Sequence, residues 1–485
     1  MAKLQDNSVD ISAKPLSEKR SDRRVVHNAS YGSAYSPSMP CDEPTFYRAR
    51  DRTPRKTEAT KNNLSIGTQT LGTQTLGTQT LRAQTARYEY EPEPSVSFPR
   101  ESSDTGVLDT GASAFRYILA LFVSSRIVLS IIGVVASATL PKGYGKQTVW
   151  SSWPWLDIWG VWDSLWYMDI AQSGYSIAPK LMDYPEQTNL AFFPLYPLLM
   201  RFFSYFTGGD LFIAGLLVSN GCLILSAYLL YRLVAIQWGD AIARRSVKYL
   251  FLFPVSFILS GIFTESLYLC LSLLCFYLAK QRRWWLAGMC GALLSATRSL
   301  GLLIAIPLLF EYLSSVSFKL SKIRANVLFA ALIPVGLLAF SYHNYQVSGD
   351  FLFFKTNQAA WDRAFTDPVT AFVQALSAGI SEPSYKKLLE CAFFAGAVGL
   401  LGRFRKQLPT SYLLLAAYSL LIPLSAGIAS MPRFTLPVFP LFVALALLSQ
   451  KRFGQGRWNI WLTLSLGLLQ GALMVLWCTG QGLVI

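Results

Sequence analysis

WGVWDSLWYMDIAQSGYS, residues Trp159 to Ser176, followed after a spacer by NLAFFPLYPLL, residues Asn189 to Leu199, is the stretch on which the reading of this chain turns. It follows the first strongly apolar segment, is dense in aromatic side chains, and carries two carboxylates, Asp163 and Asp169. Carboxylates at the mouth of a membrane domain are costly to hold there and mark function by default.

The surrounding composition supports a membrane setting. Of 485 residues, 52% are hydrophobic, 14% aromatic and only 15% charged, with a mean hydropathy of +0.35. A soluble domain carries about a quarter charged residues. Long apolar runs recur from Phe115 onward, which predicts an all-α, multi-pass integral membrane protein. The seven cysteines (Cys41, Cys222, Cys270, Cys275, Cys290, Cys391, Cys478) are scattered without a CxxC pair and read as small packing residues. Only two histidines exist, His27 and His343, so a multi-histidine metal centre is excluded and no metal is assigned. A Ser-His-Asp triad would have to rest on His343, with no nucleophile elbow in view.

A formal charge of +15 invites a nucleic-acid reading, but its distribution argues against one. Residues 1–112 hold 15 Lys/Arg against 14 Asp/Glu, so the excess lies in short loops between apolar runs, as the positive-inside rule produces. No nucleic-acid partner is expected. The segment 1–112 reads as a disordered polar tail with a pentapeptide repeat, IGTQT-LGTQT-LGTQT and a decayed LRAQT, ending at Thr85. No leader is read at its start, because the first apolar segment begins only near Phe115. Residues 113–485 read as the membrane domain.

Basic clusters orient this domain. With the tail cytoplasmic, Phe115 to Leu140 crosses outward and a first outer loop spans 141–210. Leu211 to Tyr231 returns to Arg232, Arg244, Arg245 and Lys248. AFFPLYPLLMRFFSYF, with two prolines and Arg201, reads as an outer interfacial helix. Tyr249–Ala279 and Trp284–Leu313 have basic residues at both ends and are too long for one crossing of about twenty residues. Each is therefore expected to be a hairpin, turning at Ser260-Gly261 and at Ser299-Leu300-Gly301. A second outer loop spans 347–387, MPRF at Met431–Phe434 turns at the outer face, and the total is eleven crossings.

This topology gathers Asp163, Asp169, Glu265, Arg298, Asp350, Lys355, Asp362, Arg363 and Arg433 at or near the outer face. Taken singly, Lys355, Asp362 and Asp367 read as ordinary loop charges. Glu265 and Arg298 do not, since apolar helix flanks both.

WDSLWYMDIAQSGY, AFFPLYPL, SGIFTESLYL, ATRSLGL, GDFLFFKTNQAAWDR and MPRFTLPVFPLF together resemble the family of the second mannosyltransferase of GPI-anchor assembly and its bacterial relatives. The resemblance covers Phe115 to Ile485 and leaves the tail unmatched. It implies a GT-C architecture, transfer of a sugar, mannose in the family, from a polyprenyl-phosphate donor, and an acidic catalytic residue in the first outer loop. The implied setting is a bacterial plasma membrane, or the ER membrane if the source is eukaryotic.

Such transfer needs a carboxylate to take the acceptor's proton and cations to hold the departing phosphate. Asp163 is the expected base. Asp169 lies six residues on, about 120° round a helix, so the two would not share a pocket as glycosidase carboxylates do. It either binds acceptor hydroxyls or is a polar anchor of the helix. Arg298 and Arg433 are the candidate phosphate ligands, with Lys355 a third. Glu265 pairs with one of the arginines, in a functional or a purely structural pair. Trp162, Trp166 and Tyr167 are candidates to stack on sugar, with an interfacial aromatic belt as the alternative. No cofactor is required. The expected partners are the bilayer, a polyprenyl-phosphate hexose and an acceptor that is a glycolipid, a glycan or a protein. A lipid-linked-sugar transporter or flippase is the competing class, but no second copy of the WD loop supports the repeated halves such proteins favour. A noncatalytic scaffold, a third class, would not need Asp163.

Overall fold

The computed structural model describes residues 105–178, 186–361, 363, 365–451 and 457–483, all within the compact unit spanning residues 89–485. The polar tail and its repeats, Asp183 and Asp362 lie outside the described residues. Every regular element among the described residues is helical.

The chain opens with α1 (Thr105–Thr139), whose Gly111–Thr139 portion is apolar and mostly unburied, with Ile127, Ile131 and Val135 on its outer side. The loop after it carries the short α2 (Pro154–Asp157) and α3 (Ser164–Ser173). Next, α4 (Leu195–Ser204) is amphipathic: Tyr196 and Met200 are buried while Leu198 and Phe202 are exposed. Ten residues reach about 15 Å, too short to span, so α4 has the form expected of a helix lying along an interface.

The centre is α5 (Leu211–Trp238), started by Asp210, whose carboxylate accepts the N–H of Ile213 at 2.9 Å. It packs against α4, α6 (Asp240–Leu252) and α7 (Glu265–Lys280). Between α6 and α7 the backbone unwinds over residues 253–264 apart from a 3₁₀ turn at Ser256–Ser260. Pro254 supplies no N–H to continue a helix. Backbone polar groups at membrane depth need protein partners, and these are present. Gln470 Nε2 donates to the carbonyls of Phe251 (2.9 Å) and Phe253 (3.0 Å), and Arg126 donates to that of Ser256 at 3.2 Å. The hairpin expected over 249–279 is thus a broken pair whose first limb starts at Asp240. Arg244, Arg245 and Lys248, expected in a loop, sit on that helix.

A second broken pair follows. It consists of α8 (Trp284–Ser295), an extended step at Arg298, a 3₁₀ turn at Ser299–Ile304, and α9 (Ala305–Ser315). Its bend begins just before the expected Ser299–Gly301. There is no room for a side chain at Gly301, where a Cβ would come within 2.1 Å of the Leu294 carbonyl oxygen.

A 3₁₀ stretch at Ala325–Leu332 leads into α10 (Val335–Ser348); the second loop then holds α11 (Phe353–Thr356) and α12 (Pro368–Ser381). The remainder is α13 (Tyr385–Phe404), α14 (Thr410–Ser425), α15 (Met431–Thr435), α16 (Pro440–Lys451) and α17 (Arg457–Cys478). The core lies along residues 249–279 and 431–447, which are buried almost throughout.

Four described helical segments are long and apolar enough to cross a membrane: Gly111–Thr139, Leu211–Trp238, Ala325–Ser348 and Asn459–Cys478. Five more apolar helices, such as Trp284–Ser295 and Thr410–Ser425, run only 10–17 residues. Eleven crossings is not the count these lengths give. The expectation counts each limb of the two hairpins as a crossing, whereas pieces of 10–17 residues are too short to span singly.

Candidate active site

Four ionisable side chains from four separated stretches meet in one cluster. Asp163 stands immediately before α3, Glu265 opens α7, Arg298 occupies the extended break after α8, and Arg433 lies in α15. Arg433 Nη1 bonds Asp163 Oδ2 and Arg433 Nε bonds Glu265 Oε1. Arg298 Nη1 reaches the same Glu265 oxygen at 2.8 Å. Glu265 therefore bridges two guanidiniums through one oxygen, while its buried Oε2 has no hydrogen-bond partner among the described residues. The side chain of Glu265 is 0% exposed and that of Arg433 8%, against 21% for Asp163 and 18% for Arg298. The inner pair is the anchor and the outer two are its reachable ends.

Local backbone geometry aims these groups. Ser430, with φ 64°, turns the chain into α15, and its N–H donates to the buried Glu390 carboxylate at 2.9 Å. Ser164 Oγ donates to the Val161 carbonyl at 2.7 Å, fastening the start of α3. The Arg433 guanidinium lies 4.8 Å from the Phe263 ring centre. The Arg298 and Arg363 guanidiniums lie 5.4 and 5.6 Å from the Phe434 ring centre, distances at which cation–π attraction holds a guanidinium. Burial, followed by the like charge of Arg433, pulls the Arg363 guanidinium down to about 10.

The remaining sequence candidates lie as follows. Asp169 is outside the cluster; its Oδ2 accepts from Asn189 Nδ2 at 2.6 Å, and Asn189 also donates to the Gly174 carbonyl at 3.0 Å. Both bonds lie within the first loop. Trp166 is buried, stacked on Phe192 with Trp361 edge-on at 6.0 Å. Tyr167 is buried between Phe192 and Tyr196. Neither presents an open ring face, because aromatic packing from both loops covers them. Trp162 is half-buried with its indole against Gly145, where a Cβ would sit 2.2 Å from the ring. Lys355 is exposed on α11, and among the described residues no ion pair joins it to the cluster. The third guanidinium near the cluster is Arg363.

The second loop is tied over the first. Asn357 Oδ1 accepts from Thr188 Oγ1 at 3.1 Å, Asn357 Nδ2 donates to the Glu186 carbonyl at 2.8 Å, and Gln187 Nε2 donates to the Ala360 carbonyl at 3.1 Å.

The molecule is thus an all-helical integral membrane protein with a charge cluster assembled at helix breaks and loop starts. No family model matches the sequence, and no curated protein matches it. Among solved structures it is similar to ArnT from Cupriavidus metallidurans bound to undecaprenyl phosphate, with 13% identity, TM-score 0.45, and 76% of each chain covered. It is also similar to the Archaeoglobus fulgidus oligosaccharyltransferase complexed with Zn and sulfate, with 13% identity and TM-score 0.38 over 74% of this chain and 53% of that one. The oligosaccharyltransferase AglB of the same organism, in complex with an inhibitory peptide and a dolichol-phosphate, gives 12% identity and TM-score 0.38. That match covers 74% of this chain and 56% of AglB, so the chain spans about half the length of these oligosaccharyltransferases.

Proposed function

We propose that this protein is a membrane glycosyltransferase of the GT-C type. It moves a hexose, mannose by the sequence resemblance, from a polyprenyl-phosphate donor to an acceptor hydroxyl at the outer face, with inversion. The observation that carries this reading is the partly exposed Asp163 carboxylate, held by Arg433 beside Arg298, with Arg298 and Arg363 both close to the Phe434 ring. Three guanidiniums, those of Arg298, Arg363 and Arg433, gather beside Asp163 and Glu265, and their forks offer an entering phosphate its partners. The buried Glu390 carboxylate, which accepts the Ser430 N–H, also acts on Arg363.

In the proposed step the acceptor oxygen attacks the anomeric carbon and the bond from that carbon to the phosphate oxygen breaks. Polyprenyl phosphate leaves with the bonding electrons, and the hydroxyl proton passes to Asp163. Arg298 and Arg363 hold the departing phosphate, since guanidinium forks match its oxygens. Arg433 orients the base, and Glu265 keeps Arg433 and Arg298 in place. The N-terminus is assigned to the cytoplasm and the loops 141–210 and 347–387 to the periplasm or lumen.

Purified protein given a panel of polyprenyl-phosphate hexoses, with products read by mass, tests this directly. Asp163→Asn is expected to lower transfer by about 10²–10⁴-fold with the fold intact. Unchanged transfer removes Asp163 from its role, and no transfer from any donor removes the enzyme reading.

A further inference from the structure

The loop that delivers Asp163 is fastened by residues more than 300 positions away. Beyond the end of α17, the carbonyls of Thr479 and Gly480 accept the N–H groups of Gly143 (2.7 Å) and Gly145 (3.1 Å). The Gly145 carbonyl in turn accepts the N–H of Trp162, the residue before Asp163, at 2.8 Å. Trp162 has φ 53°. A bulky residue in the left-handed region is an outlier, costing about 1–3 kcal/mol, and persists only where its surroundings impose it.

The surroundings here have no slack. A Cβ on Gly480, itself at φ +76°, would stand 2.4 Å from the Lys146 nitrogen, and one on Gly143 would stand 2.6 Å from the Gly480 carbonyl oxygen. Lys146 then ties the rest of the loop inward. Its Nζ donates to the carbonyls of Asp157 (2.9 Å) and Gly160 (3.0 Å) and pairs with the Asp157 carboxylate at 3.0 Å. Asp157 Oδ1 also accepts the Trp150 N–H at 2.7 Å. The contacts form a chain from Gly480 through Gly145 and Trp162 to Asp163.

We propose that residues 479–480 act as a splint for the first outer loop, with Gly480 a positioning residue that fixes Asp163 through Gly145 and Trp162. This rests on the reading of Asp163 as the base, and its test is built to be separable from that reading. Gly480→Ala breaks the close approach to Lys146. Gly482→Ala is the matched control, because its Cβ meets the Trp162 ring at an ordinary 3.5 Å.

In an Asp163→Cys background, Gly480→Ala is expected to change the rate of alkylation by a water-soluble maleimide at least about fivefold, while Gly482→Ala leaves it unchanged. In the native-Asp163 protein, Gly480→Ala is expected to lower kcat by up to about 100-fold, the scale of an ångström of misplacement, with the donor KM held within about twofold. Equal labelling and equal kcat in the two glycine variants overturn the splint. Absence of transfer from the parent protein removes the glycosyltransferase reading alone, and the labelling rates still decide the splint. If Gly480→Ala does not fold, hydrogen exchange on the unaltered protein decides. Protection of the residue 143, 145 and 162 amides by about 100-fold or more supports the pairing, and exchange at open-loop rates overturns it.

Discussion

At the scale of single residues, Arg433 is the group the cluster can least do without. It is buried, with one guanidinium serving two carboxylates from different parts of the chain. Removing one partner of a buried pair leaves an uncompensated charge, at about 3–5 kcal/mol. Arg433→Met should therefore lower the melting temperature in detergent markedly, and adding Glu265→Gln should recover part of the loss, a coupling that a double-mutant cycle measures. Arg363 makes a pH prediction. Its guanidinium is held down to about 10, and only its protonated form attracts phosphate. Donor binding should weaken as pH rises through about 10, and Arg363→Gln should remove that alkaline limb from the profile of donor KM against pH. The four members of the cluster were legible in the sequence because each is an ionisable residue or motif charge beside long apolar runs, where charge is expensive. Arg363 is legible only as one of the charges near the outer face, since it lies beside Asp362 and Asp367 and nothing local gives it a role. Glu390 carries a signal of its own, an acid within an otherwise apolar part of α13. Lys355 reads in sequence as an ordinary loop charge or a third phosphate ligand, and the fold has it exposed on α11.

At the scale of elements, the breaks matter more than the helices. Glu265 and Arg298 meet because one helix starts, and another has just stopped, at the same place in the bundle. The bends were foreseeable from runs too long for one crossing and too short for two full ones. The start of α6 was not, because basic residues on a helix can keep their charged ends in water and so look like a loop in sequence. Close packing makes a second test. A Cβ on Gly336 of α10 would lie 2.1 Å from the Ala292 carbonyl oxygen of α8, whereas Gly396 of α13 has nothing within 4 Å of that point. Gly336→Ala should destabilise by about 1–3 kcal/mol as an overpacked contact. Gly396→Ala should be neutral or stabilising by about 0.5–1 kcal/mol. Thermal denaturation of the two variants side by side checks both.

For the whole molecule, the decisive matter is sidedness. The basic residues of α6, of the α7–α8 turn and of the end of α13 should face one compartment, and the loops carrying Asp163 and Arg363 the other. Single cysteines at Arg282 and Asp210 should accordingly react with an impermeant maleimide from opposite sides of sealed vesicles; labelling of both from one side contradicts the arrangement. Hydropathy was enough to read an all-helical membrane chain. The number of crossings was not readable, since helices of 10–17 residues become spans only through the neighbours that complete them.

The two tied loops carry a built-in optical gauge. Trp361 belongs to the second loop and Trp166 to the first, and their indoles lie 6.0 Å apart at 67°. The intense indole transitions of two rings that close and that inclined to one another couple, giving a two-signed band in far-ultraviolet circular dichroism. The amplitude of that band follows the seating of one loop on the other, without any dye, and Trp361→Phe identifies it by difference.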